Sequence, residues 1–94
     1  MFAALALAVA VPTSAHAATG TFTYVSPESG ELEMDNPTNG ECRLLLQGAT
    51  KVLNGTDGTA VLFCDRGCEE QITSMAPGES RSFGDPIPRS VMFN

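Results

Sequence analysis

Few residues in this chain could carry chemistry, and three cysteines lead them: Cys42, Cys64 and Cys68, the last two separated by Asp65-Arg66-Gly67. Three thiols allow one bridge and leave one over. In the chain-entropy description, closing Cys42 to Cys68 stabilises by roughly 3.5 kcal/mol, and Cys42 to Cys64 by about the same. Closing Cys64 to Cys68 gains only about 2 kcal/mol. Loop entropy alone leaves the first two pairings open. The odd thiol is then either a reactive or intermolecular cysteine or an idle residue at a strand end. A neighbouring arginine lowers a thiol pKa and a neighbouring aspartate raises it, so the sequence around Cys64 pulls both ways.

Carboxylates come next. Glu31 and Glu33 share one face of an alternating segment, and Glu69 and Glu70 are adjacent. Glycoside hydrolysis needs two carboxylates facing each other across a cleft, which a small β sandwich rarely forms. Solvated strand faces that keep sheet edges from aggregating are the plainer reading. The single histidine, His16, lies ahead of the folding region, so His-dependent bases and triads are not expected. The expectation is a non-enzyme without cofactors.

The elements that would position these groups begin after residue 17. Phe2 to Val11 is an unbroken apolar run, broken by Pro12-Thr13-Ser14, and Ala15-His16-Ala17 supplies small residues at the −3 and −1 positions of a signal-peptidase site. The run is shorter than the roughly 20 residues that span a bilayer. Residues 1–17 read as a signal peptide, and 18–94 as a single exported domain. Nothing basic precedes Phe2, so the native start is expected upstream.

The net charge of −6 argues against nucleic acid and anionic membranes, which are bound through Lys/Arg clusters; the five basic residues are scattered. A domain this short buries only about 60% of its unfolded surface, and a covalent staple is the usual remedy. Export makes a disulfide permissible.

Short apolar stretches alternate with turn residues throughout. Phe22 and Tyr24 share one strand face, and Leu32 and Met34 alternate with Glu31, Glu33 and Asp35. Asn39-Gly40 is a strong hairpin signal. Cys42 to Leu46, apolar on both sides at Leu44-Leu45-Leu46, reads as a central strand. Lys51-Val52-Leu53 follows, with a turn expected at Asn54-Gly55-Thr56-Asp57-Gly58. Asn54-Gly55-Thr56 also matches a glycosylation acceptor, though a turn is the plainer reading. Strands are further expected at Thr59 to Phe63, Gln71 to Met75, Ser80 to Phe83 and Arg89 to Phe93. Short strands at this spacing, with nine Gly and six Pro, indicate an all-β sandwich or barrel.

The last third, Ala60 to Phe93, reads AVLFCDRGCEEQITSMAPGESRSFGDPIPRSVMF. An apolar strand ends in an aromatic, and a Gly-Cys turn leads to a second strand and the turn Ala76-Pro77-Gly78-Glu79-Ser80. Phe83-Gly84 then precedes a closing strand. This order resembles a βγ-crystallin Greek-key motif, as in small secreted actinobacterial proteins. The streptomycete metalloproteinase inhibitor and killer-toxin-like protein share that fold.

The resemblance implies two Greek keys, roughly 20–57 and 58–94, in one small sandwich with one disulfide. It also implies the pairing Cys42–Cys68, with Cys64 as the free thiol. Calcium-binding members carry N/D-N/D-x-x-S/T-S before the last strand, supplying the oxygens calcium prefers. Here the stretch is Asp85-Pro86-Ile87-Pro88-Arg89-Ser90. Asp85 and Ser90 match, Pro86 removes an oxygen and Arg89 adds a cation, so no metal is expected. Zinc is disfavoured too, because three cysteines cannot both bridge and coordinate.

What remains is a monomeric extracellular protein that binds another protein, with extracellular protease inhibition the most concrete form. Two loops could present the contact: Arg43-Leu44 beside Cys42, and Asp65-Arg66 between the other cysteines. The alternatives are a structural or stress-related envelope protein and a small antimicrobial or killer-toxin-like protein.

Overall fold

The computed structural model describes residues 17–94; the apolar run and the start of the cleavage site lie outside the described residues. The described residues form eight strands: β1 (Gly20–Ser26), β2 (Gly30–Asp35), β3 (Arg43–Leu44), β4 (Lys51–Thr56), β5 (Ala60–Phe63), β6 (Gln71–Met75), β7 (Ser80–Ser82) and β8 (Ser90–Phe93). They form two antiparallel four-stranded sheets with orders β2-β1-β4-β7 and β3-β8-β5-β6. Each sheet thus takes three strands from one half of the chain and its remaining edge strand from the other half. The all-β expectation holds, and so does the single Cys42–Cys68 disulfide.

The core lies between the sheets and follows from period-two alternation. Phe22 and Tyr24 on β1, Met34 on β2 and Val52 on β4 face Leu62 on β5, Met75 on β6 and Val91 and Phe93 on β8. The Phe22 and Phe93 rings meet edge-on, with centroids 5.1 Å apart and planes at 87°. Such a pair contributes about 0.5–1.5 kcal/mol beyond the area it buries.

Three local expectations are overturned. Cys42 to Leu46 is not a central strand: only Arg43–Leu44 pairs, at the edge beside β8, and Leu44 and Leu46 are each 49% exposed. The chain leaves the sheet because Gln47 and Gly48 adopt φ of 57° and 83°, turning it towards β4. The positive φ of Gly48 suits glycine, and a Cβ there would also have to displace the end of the Ile87 side chain.

Asn54-Gly55-Thr56 is strand, not turn. The Asn54 amide is fully buried, donating from Nδ2 to the Gly58 and Met75 carbonyls and accepting at Oδ1 from Thr56. That network satisfies a side chain that would otherwise favour a turn. The same burial takes the glycosylation match out of reach of a modifying enzyme. Asn39-Gly40 joins no hairpin; Asn39 bridges Phe93 and the chain crosses to the other sheet.

Candidate functional site

The β5–β6 connection, Cys64 to Glu70, is held from within by one side chain. The Asp65 carboxylate accepts from the backbone N–H of Gly67 at 2.9 Å, Glu69 at 3.0 Å and Glu70 at 2.8 Å. These donors, that of Glu70 foremost, hold its pKa below the usual carboxylate value. The loop is also held from outside. Ser90 at the start of β8 donates its hydroxyl to the Asp65 carbonyl at 2.6 Å and accepts from the Cys68 N–H at 3.2 Å. Cys68, at φ 58°, is bonded to Cys42 with Cα atoms 5.9 Å apart. Arg66 projects from the tip, exposed.

The β3–β4 connection is fixed as firmly. The Leu45 N–H donates to the Arg89 carbonyl at 2.9 Å, and the Ala49 N–H to the Pro88 carbonyl at 3.0 Å. The Leu46 N–H reaches the Tyr24 hydroxyl at 3.2 Å, so a core tyrosine uses its polar tip to hold a surface loop. Gln47 Oε1 accepts from the hydroxyls of Ser26 at 2.7 Å and Ser29 at 2.8 Å, tying this loop to the β1–β2 turn.

Between the two connections lies a groove of about 260 Å³, lined by Leu44 to Gly48 with Arg66 and Arg89. Small-molecule sites usually span about 300–1,000 Å³, so this volume suits one or two side chains. Of the residues expected in binding loops, Leu44 and Arg66 meet here. Arg43 does not line the groove and lies 3.9 Å from the Glu41 carboxylate, and the Asp65 carboxylate is turned into its own loop. Leu46, Gln47 and Arg89 join them in the lining. The local sequence carries no signal for them, because they join Arg66 only through the fold.

The remaining chemical candidates are separate. Cys64, half-buried and free, donates its thiol to Glu70 Oε1 at 3.3 Å. That hydrogen bond first, then loss of solvent and the charges of Glu70 and Asp65, raises its pKa and keeps the thiol protonated. Of the two opposing neighbours in the sequence, the aspartate acts and the arginine does not. Glu31 and Glu33 lie exposed on the edge strand β2. Glu31 borders a smaller depression with Thr23, Lys51 and Leu53.

Asp85 is exposed, whereas the buried Ser90 hydroxyl is turned onto the Asp65 carbonyl. Among the described residues, no group of three or more His, Cys, Asp or Glu is placed to hold a metal ion, and no helix is long and apolar enough to cross a membrane. No family model matches the chain, and neither does a curated protein or a solved structure.

Proposed function

We propose that this chain is a secreted, non-catalytic binding protein of the βγ-crystallin type, acting on an extracellular protein target, with protease inhibition its concrete form. The strand order supports the family reading. In each half the first two strands form a hairpin, the fourth returns beside the first, and the third crosses to the opposite sheet. That order supports a Greek-key path divided between two sheets. The sequence order from Ala60 to Phe93 supports it independently.

The observation that carries the binding role is the fixed presentation of Arg66. Asp65 organises its loop, Ser90 anchors the base and the Cys42–Cys68 bridge closes it. A preorganised loop loses little conformational entropy on binding, which is what a tight inhibitor requires.

Titrating the purified protein into secreted metallo-, serine and cysteine proteases tests the reading. Stoichiometric loss of activity in one class, reversed by Arg66→Ala, is expected. Indifference of all three classes would sink the inhibitor form and turn attention to a structural envelope role or an antagonistic one.

A further inference from the structure

We propose that the groove between the β3–β4 connection and Arg66 takes an extended segment of the protein partner that carries carboxylate and aliphatic side chains two residues apart, on one face. This deepens the binding reading above and rests on it. Charge is the first observation. In a chain with 11 acidic and five basic residues, cations are scarce and would be expected to pair. Arg81 does so with Glu79 at 2.6 Å, and Arg43 lies 3.9 Å from Glu41. Among the described residues, no carboxylate lies within 4.0 Å of the Arg66 or Arg89 guanidinium. Yet these two line the same groove. Two unpaired guanidiniums at one place on an acidic protein complement a carboxylate, which they can bind in bidentate fashion.

The second observation is apolar. Among the described residues, Leu44 and Leu46 are two of three large hydrophobic residues left exposed, and both line this groove. The loop that follows β3 is held by the Leu46 N–H bond to the Tyr24 hydroxyl and by the Gln47 bonds to Ser26 and Ser29. The third is topological. Leu44 belongs to β3, the outermost strand of its sheet, where an extended chain can lie alongside. Leucines give such a chain aliphatic contacts, the arginines fix its charged positions, and the groove is too small for much else.

A random peptide display library panned against the intact, oxidised protein tests this. Enriched peptides should carry Asp or Glu two residues from Leu, Ile or Val, and their affinity should fall as sodium chloride rises. The Arg66→Gln/Arg89→Gln double variant should lose about tenfold or more in affinity. Its melting temperature should hold, since both side chains are exposed. Leu44→Ser/Leu46→Ser should weaken binding at unchanged salt dependence, and Arg43→Gln should do neither.

Enrichment of neutral or basic peptides, no enrichment at all, or affinity indifferent to the double variant would overturn the proposal. If acidic–aliphatic peptides bind while every protease remains active, the groove stands and the inhibitor form falls.

Discussion

The Ser90 hydroxyl donates to the Asp65 carbonyl oxygen across 2.6 Å, joining the start of the last strand to a loop 25 residues earlier. Removing it leaves that carbonyl and the Cys68 N–H without their partner. Ser90→Ala is expected to cost about 1–3 kcal/mol, the range for stranding buried polar groups. At roughly 4–8 °C per kcal/mol, calorimetry should show a drop of at least about 4 °C. An unchanged melt would mean that the loop does not depend on this contact.

Loss of the Cys42–Cys68 bridge, which closes 26 residues of sequence separation, should cost a small domain about 2–5 kcal/mol. Cys42→Ser and Cys68→Ser should therefore destabilise alike in denaturant titrations. Cys64→Ser should be nearly neutral, since it removes one exposed hydrogen bond. Peptide mapping without reduction should recover Cys42 linked to Cys68, and recovery of Cys64 in a bridge would refute the pairing.

The Cys64 thiol should alkylate slowly at mildly alkaline pH, because its pKa is raised chiefly by the Glu70 hydrogen bond. Glu70→Gln removes that carboxylate and should speed modification by iodoacetamide, moving the midpoint of the rate–pH profile downwards. A profile that does not move would show that Glu70 leaves the thiol unaffected.

Asp65 has a definite sign with pH. Its folded pKa lies below the ordinary value because backbone N–H groups donate to the charged form. Its contribution to stability is therefore complete above the ordinary carboxylate pKa of about 4 and is lost as pH falls through the lower folded value. Glu79 behaves likewise, held down first by the Ala76 N–H and then by Arg81. The melting difference between wild type and Asp65→Asn should be constant near neutrality and shrink in strong acid. A difference that widens in acid would contradict the assignment.

Period-two alternation made most of the fold legible. Phe22/Tyr24 and Leu32/Met34 marked their strands, and Gln71 to Met75 lies where the sequence placed it. Asn54-Gly55 misled because turn chemistry is a local preference. A buried hydrogen-bond network with Met75 and Gly58 overrode it. Gly55 is there because the Thr21 carbonyl would lie 2.5 Å from a Cβ, a contact between two strands that no window of sequence reveals. The leucines at 44–46 misled in the opposite sense, since apolar residues suggested burial where the fold leaves two of them in solvent. The candidate site was half visible: the loop between Cys64 and Cys68 stood out, but its companions Leu46 and Arg89 lie far from it along the chain.

The exchange of edge strands between the sheets has a consequence for cleavage. Residues 57–59 are the single covalent path along the backbone between the halves, while β3 and β7 each sit in the other half's sheet. A cut there would yield a nicked, two-chain molecule that stays assembled, since the Cys42–Cys68 bond also spans the halves. Under non-reducing electrophoresis it would run as one species. A reductant would release two fragments, neither of which carries a full set of strands for either sheet.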